Sequence, residues 1–283
     1  AGSFAAAKSL LKQALELDAH DEMTLKNVGY TLVALGERDA ALECIRQNAI
    51  LTVASSVDRA TWNETLSLAS LGFHAGKKLI IPTFGIHPSY CAGLPESERD
   101  LADLLEPYLC ASPIIGEIGL DFYWEKKISH ETQERVFRCI LDHCERAKKY
   151  CVVHTKGAES RIVRILADFP HTKPVIHWYD GPDSAYDIFL SRGYMQTFGC
   201  EVRYSDHIKA LLARTPLEFL LSETDNPTGE VWLGGEDSSP LLIKRVVHDI
   251  AEVKGIEYAD AESILQKNAE KILASANIDY RTV

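Results

Sequence analysis

The chain has 283 residues, of which 46% are hydrophobic and 25% are charged, and its formal net charge at pH 7 is −11. This composition is typical of a globular protein with room for one large barrel or two smaller domains. The negative charge repels nucleic acid at long range, so a nucleic-acid substrate would require a local basic patch or a bound metal. No apolar run reaches the roughly 20 residues of a membrane span, and the seven cysteines form no CxxC pair. We therefore expect reduced thiols in a cytoplasmic protein that does not enter a membrane.

The first 47 residues have the pattern of helices throughout and contain an internal repeat. Ala7 and Leu11 are matched 34 residues later by Ala41 and Ile45, and the stretch from residue 14 to residue 43 resembles the tetratricopeptide repeat. Fewer than three such repeats rarely form a stable unit. Residues 1–47 are therefore predicted to be a fragment of a longer array or to pack on the rest of the chain, with an unrelated helical hairpin as the alternative.

Beyond residue 48, short apolar runs alternate with helical patterns. Seven runs are rich in Ile, Val, Leu or Phe, as expected of strands covered on both faces: 49–55, 79–85, 113–119, 151–155, 174–178, 194–199 and 217–223. The alternation favours an α/β fold with a parallel sheet and right-handed crossovers. Because a closed barrel needs eight strands, residues 48–283 are predicted to form a TIM-type (β/α) barrel that lacks its first strand.

Four of these runs end near a residue that can bind a metal, namely Glu117, His154, His177 and Asp225. The C-terminal ends of the strands of an α/β barrel all open onto one face, and that face carries the chemistry. Two imidazoles and two carboxylates on one face suit a divalent cation. The sequence therefore predicts a metal site formed by these four side chains.

Each of these residues has a less specific interpretation when it is taken alone. A carboxylate such as Glu117 inside an apolar run is costly unless it is paired, and an arginine partner is the alternative to a metal. A single strand-end histidine is more often structural than a ligand. Asp225 precedes a turn, so it is interpreted as a turn cap, a metal ligand or a general base. Glu223 is expected to orient a neighbouring side chain.

Five motifs occur in an order that is similar to that of a known family. They are GIHP (85–88), GEIGLDFYW (116–124), VVHTKGAE (152–159), VIHWYDGP (175–182) and SETDNP (222–227), supported by Gln133 and by NAEKIL (268–273). Over about residues 48–283 the chain resembles the TatD family of metal-dependent hydrolases. The resemblance implies a (β/α)₈ barrel of the amidohydrolase type. It also implies hydrolysis of phosphodiesters, typically as a deoxyribonuclease, with one or two divalent ions; Mg, Mn and Zn are all open.

The family pattern also implies roles for individual residues. Glu117 would be a bridging carboxylate between two metals. His154 and His177 would hold the second metal, and Asp225 would hold the first. DNA or another phosphodiester would be the substrate.

One feature of the family is missing from this chain. The family's first strand carries a His-x-His motif that supplies two ligands to the first metal, and no His-x-His occurs in the 283 residues. The residues where that strand is expected are tetratricopeptide-like instead. We therefore expect at most one well-occupied metal and weak phosphodiesterase activity. One alternative is a catalytically weakened barrel that binds a protein partner through its helical N-terminus. Another is a related amidohydrolase that acts on a C–N bond, which the TatD-type order of the motifs disfavours.

Further side chains near the predicted metal site are expected to contact the substrate. Lys156 lies two residues after His154, so both side chains face the pocket mouth, and a cation there suits a phosphate. Arg161 is expected to add a second cation, and His87 to line the pocket and help seat the phosphate. Asp121 is expected to support the site from behind or to cap a loop. The remaining histidines of predicted helices or loops are expected at the surface: His20, His74, His143, His171, His207 and His248.

Overall fold

A single parallel sheet of seven strands organises the part of the chain that the computed structural model describes, which is residues 38–48, 50–74, 77–226, 229, 233 and 239–278. The strands are β1 Thr52–Ser55, β2 Ile80–Phe84, β3 Ile114–Asp121, β4 Tyr150–Lys156, β5 Lys173–Ile176, β6 Met195–Phe198 and β7 Leu220–Ser222. Each strand pairs with the next one along the chain, and every pair is parallel. All seven strands predicted from the sequence are confirmed.

The described α-helices are α1 Arg38–Asn48, α2 Arg59–Leu71, α3 Glu98–Ala111, α4 His130–Ala147, α5 Glu159–Leu166, α6 Asp183–Ser191, α7 Asp206–Arg214, α8 Leu242–Lys254 and α9 Tyr258–Ser275. Six of them, α2 to α7, connect consecutive strands, while α1 precedes β1 and α8 and α9 follow β7. Short polar residues begin several of them; the Ser129 hydroxyl, for example, accepts a hydrogen bond from the backbone N–H of Thr132 at the start of α4. A two-residue antiparallel pair, Phe73–His74 with Lys77–Lys78, precedes β2. No described helix has the length and apolar character needed to cross a membrane.

The sheet is a curled half-barrel. Within the described residues, β1 and β7 each have one strand neighbour and do not pair with each other. The prediction of a barrel that lacks one strand is therefore confirmed for this part of the chain.

Most of the tetratricopeptide-like segment, residues 1–37, lies outside the described residues. Its last predicted helix corresponds to α1, whose Leu42 and Ile45 pack against Ala69 and the start of β2.

One face of the sheet carries both an apolar layer and the candidate site. Side chains alternate along β4, so that Val152, His154 and Lys156 share a face. Val152 packs in an apolar cluster with Ile81, Val175 and other strand residues, and the end of α9 covers that cluster. The opposite face of the sheet packs against the surrounding helices in the larger core. Polar side chains thus begin where the apolar layer stops, at the C-terminal edge of the strands.

Candidate metal centre

Five of the predicted side chains meet at the C-terminal edge of the sheet. His87 follows β2, Glu117 lies in β3, His154 in β4, and His177 and Asp225 follow β5 and β7. Glu117 is the centre of the group, because its Oε1 lies 2.8 Å from Nδ1 of His154. The same oxygen is 3.9 Å from Nε2 of His87 and 3.9 Å from Nε2 of His177. Nε2 of His177 is in turn 3.8 Å from Oδ1 of Asp225.

Two glycines allow the backbone to pack closely around Glu117. Gly119 lies opposite His154 in the β3–β4 pairing and has φ +141°, and a Cβ there would lie 2.1 Å from the His154 carbonyl oxygen. A Cβ on Gly85 would lie 2.2 Å from the Glu117 carbonyl oxygen. Only glycine fits at either position. The ends of β2, β3 and β4 therefore approach closely enough for their polar side chains to meet.

Both ring nitrogens of His154 face carboxylates. Nδ1 is 2.8 Å from Glu117 Oε1, and Nε2 is 3.1 Å from Asp121 Oδ2. The other oxygen of Asp121 accepts hydrogen bonds from the backbone N–H groups of Tyr123 and Trp124. Burial works to raise the pKa of Asp121, but the bonds from His154 and the loop amides outweigh it and lower the pKa to about 2. Asp121 therefore fixes the ring of His154 and leaves Nδ1 directed at Glu117.

Glu223 fixes the second histidine in the same way. Its Oε2 lies 2.5 Å from Nδ1 of His177. The acceptor is a carboxylate, so Nδ1 carries the proton and Nε2 of a neutral ring carries the lone pair. Nε2 faces Glu117 and Asp225, so in the neutral ring, which is the form that binds a metal, the lone pair is directed towards them. The expectation that Glu223 orients a neighbour agrees with this contact.

His87 belongs to the site in a different role. Ligand atoms of His87, Glu117 and His154 all lie within 4.8 Å of one another, so distance alone would make them a metal-binding group. Nδ1 of His87, however, accepts a hydrogen bond from the backbone N–H of Ser89 at 3.3 Å. A neutral imidazole that accepts at Nδ1 carries its proton on Nε2. We therefore interpret the Nε2–H group of His87 as a donor facing the site.

Electrostatic interactions within the cluster are strong. Burial works to raise the pKa of Glu117, but the facing histidines outweigh it and hold the pKa well below its ordinary value. Burial opposes protonation of His177, yet the carboxylates of Glu223 and Glu117 hold its pKa well above the usual range. Although 38% of the Asp225 side chain is exposed, desolvation by the surrounding protein, reinforced by Glu223 and Glu117, raises the pKa of Asp225 to about 6. The cluster therefore holds protons between its imidazoles and carboxylates.

This donor set fits a divalent cation. Oε1 of Glu117 lies 2.8 Å from an imidazole nitrogen of His154 and 3.9 Å from one of His177, and each imidazole is fixed from behind by a second carboxylate. The protons held between the rings and Glu117 are those that a cation would displace. Imidazole donors favour a zinc-like ion over Mg²⁺, which prefers oxygen ligands and water.

The two predicted substrate-binding cations both have acidic partners. Nζ of Lys156 lies 2.9 Å from Oδ1 of Asp180 and donates to the carbonyl oxygen of Trp178 at 3.0 Å. Arg161 on α5 makes a two-point ion pair with Glu134, with Nε 2.7 Å and Nη2 2.5 Å from its carboxylate oxygens. Lys156 shares the face of β4 that carries His154. Arg161 as a substrate contact stays a prediction.

Sequence reasoning missed Glu201, a buried acid next to the site. It follows β6, its side chain accepts a hydrogen bond from the backbone N–H of Gly199, and the residue is only 3% exposed. Burial, reinforced by the charge of Glu223, raises the pKa of Glu201 to about 8. Glu201 follows an apolar run, as the other acids of the site do, so the same sequence pattern could have predicted it.

A curled parallel sheet with histidines and carboxylates at its C-terminal edge defines the class of metal-dependent α/β-barrel hydrolases. A family model described as TatD related DNase matches residues 17–274. The chain therefore belongs to the TatD family, and the resemblance seen in the sequence motifs is confirmed.

Proteins of similar sequence are named as a metal-dependent hydrolase and a putative deoxyribonuclease, in agreement with this assignment. The chain is 27% identical over 234 residues to an uncharacterized metal-dependent hydrolase of Methanocaldococcus jannaschii, across 83% of this chain and 89% of that protein. It is 25% identical over 248 residues to the protein of Mus musculus named "Putative deoxyribonuclease TATDN3", across 83% and 82% of the two chains.

Solved structures show the same fold. The TatD homolog YjjV of Escherichia coli superposes with a TM-score of 0.70 at 21% identity, across 84% of this chain and 92% of that one. A TatD family hydrolase of Entamoeba histolytica gives 0.69 at 17% identity, across 83% and 88%. At these identities the likeness establishes the fold alone.

Proposed function

We propose that this protein hydrolyses a phosphodiester bond in DNA with one divalent cation held by Glu117 Oε1, His154 Nδ1 and His177 Nε2. The observation that carries the proposal is the pair of histidines that direct nitrogens at one carboxylate oxygen, with each ring fixed from behind by Asp121 or Glu223. Membership of a family described as TatD related DNase supports DNA as the substrate. Mn²⁺ or Zn²⁺ suits these donors better than Mg²⁺.

We assign the role of proton acceptor to Asp225. When bound, the cation would polarise the phosphodiester and lower the pKa of water. The Asp225 carboxyl, with a pKa near 6, is ionised at neutral pH and so can take the proton of a water that attacks phosphorus. One P–O bond forms to that water and one breaks to the leaving nucleotide. The role of Asp225 as an additional metal ligand stays a prediction.

We assign the seating of the phosphate to His87 and Lys156. Nδ1 of His87 accepts a hydrogen bond from the Ser89 backbone N–H, and Nε2 on the other side of the ring faces the site. The Lys156 ammonium lies two residues beyond His154 on the same face of β4. Each offers a donor to an anionic oxygen. The alternative role, a protein-binding module, depends on the helical segment 1–47, of which residues 1–37 lie outside the described residues, and no described contact supports it.

The test is cleavage of an end-labelled oligonucleotide by the purified chain after metal removal and after addition of Mn²⁺, Zn²⁺ or Mg²⁺. We expect cleavage only with added metal, and loss of both cleavage and one bound metal ion in His177→Asn. His171→Asn, at an exposed histidine, is the matched control and should change neither. Cleavage without any divalent ion, or normal metal content in His177→Asn, would contradict the proposal.

A further inference from the structure

A second group of metal-ligating side chains lies between α3 and α4, apart from the active-site residues. Glu106 and Cys110 are one turn apart on α3, and His143 faces them from α4. Oε2 of Glu106 is 3.1 Å from Nδ1 of His143, and Oε1 is 3.4 Å from Sγ of Cys110. The three ligand atoms all lie within 4.8 Å of one another. A carboxylate, a thiol and an imidazole thus converge without any contribution from the active site.

His143 contributes a buried imidazole to this group. The sequence predicted it at the surface, and that prediction is wrong: the residue is only 5% exposed, because α4 turns this face towards α3. Its Nε2 has no hydrogen-bond partner in the described part of the chain, while its Nδ1 is aimed at Glu106. The nitrogen that faces Glu106 is Nδ1, so Nδ1 is the atom that would bind an ion, with the ring proton on Nε2.

We propose that Glu106, Cys110 and His143 form a second metal site, which holds a zinc-like cation and ties α3 to α4. A thiolate and an imidazole select borderline-soft ions such as Zn²⁺ over Mg²⁺ or Ca²⁺. Cys110 is exposed, so a water can fill the fourth position from solvent. Binding breaks the S–H bond of Cys110, forms a sulfur–metal bond and releases the proton to solvent.

The two positively charged side chains nearby, Arg146 and Lys149, have other partners and do not block this ion. Nη2 of Arg146 is 3.8 Å from Glu106, but its Nε is 3.0 Å from Asp142, and the arginine side chain is 60% exposed. Arg146 can therefore remain with Asp142 when Glu106 binds a metal. Lys149 donates its hydrogen bonds to backbone carbonyl oxygens at the end of α3.

Cobalt(II) titration of the metal-free full chain tests the site. Cobalt bound to a thiolate gives a near-ultraviolet charge-transfer band, and the ligands proposed for the active site contain no sulfur. We expect a band that saturates within two equivalents of Co²⁺ in the parent chain and with one equivalent in His177→Asn, is displaced by Zn²⁺, and disappears in Cys110→Ser. His143→Asn should weaken cobalt binding at least tenfold.

Matched variants separate this site from the rest of the molecule. Cys139→Ser, at a half-buried thiol of α4, and Cys200→Ser, at a buried thiol after β6, should keep the band. His177→Asn should also keep it while losing the active-site ion, so the outcome does not depend on the proposed function. Because Cys110 is exposed, Cys110→Ser should fold normally and keep its nuclease activity. A parent protein without the band, or a band that survives Cys110→Ser, would overturn the proposal.

Discussion

The Glu223 carboxylate accepts from Nδ1 of His177 at 2.5 Å with one oxygen and from the backbone N–H of Trp178 at 3.2 Å with the other. A side chain that follows β7 thus holds both the ring and the backbone at the end of β5, across the intervening strand β6. The contact determines which nitrogen of His177 is available to a metal. Glu223 therefore influences metal binding through the ring that it orients.

Glu223→Gln should weaken metal binding by about 10- to 100-fold, the usual cost of losing the partner behind a metal-bound histidine. The amide has no charge to stabilise the Nδ1 proton, so the orientation of the ring is less well defined. Competition with a coloured chelator measures the affinity. Glu218→Gln removes the same charge from an exposed position nearby and should leave the affinity unchanged. An unchanged affinity in Glu223→Gln would show that the contact does not position the ring.

Asp225→Asn should lower kcat by about 10²- to 10⁴-fold, the typical contribution of a general base, and should leave one metal ion bound. In the parent protein the base must be ionised, and its pKa in the metal-free site is about 6. Activity should therefore rise with pH, with a midpoint at or below about pH 6, and should reach a plateau by about pH 7. A bound cation favours the ionised form, so it can only move the midpoint lower. A rate that falls as the pH rises from 5 to 7, or a variant with near-parental kcat, would contradict this role.

Asp180→Asn should lower KM for DNA by about two- to fivefold, because it frees the Lys156 ammonium from a partner 2.9 Å away. The magnitude corresponds to about 0.4–1 kcal/mol, the upper part of the range measured for surface ion pairs, because Asp180 is exposed and Lys156 is mostly buried. Asp206→Asn is the matched control, since it removes the same charge from a fully exposed position on α7. Steady-state kinetics at two salt concentrations measure both variants. In a Lys156→Met background, Asp180→Asn should have little effect on KM. If it lowers KM there as much as it does in the parent protein, Asp180 acts through the overall charge of the protein and not through Lys156.

Gln133→Leu should destabilise the fold by about 3 kcal/mol, because it leaves buried backbone groups unpaired. The Gln133 side chain accepts from the Asp121 N–H at 2.9 Å and donates to the carbonyl oxygens of Asp121 and Ile128. Thermal unfolding followed by circular dichroism should show a lower Tm. Gln266→Leu, at an exposed position of α9, should change stability by less than about 0.5 kcal/mol. Equal Tm values for the two variants would contradict the structural role of Gln133.

The sequence by itself determined the strands and the positions of most polar residues at their ends. Apolar runs of strand length are a local signal, and a residue that ends such a run lies at the edge of the sheet whatever surrounds it. For that reason Glu117, His154, His177 and Asp225 could be assigned to one face before their distances were known. The seven-strand count follows from the same local patterns, and the TatD motifs were recognisable from their order.

Only the tertiary structure decided how these residues are paired. The direction of the His177 lone pair depends on Glu223, 46 residues away in the chain, and the partner of Arg161 is Glu134, 27 residues away. His143 is buried because α3 packs over it. Hydrogen bonds, tautomers and burial depend on which distant segments contact one another. Strand and helix periodicity in the sequence does not specify those contacts.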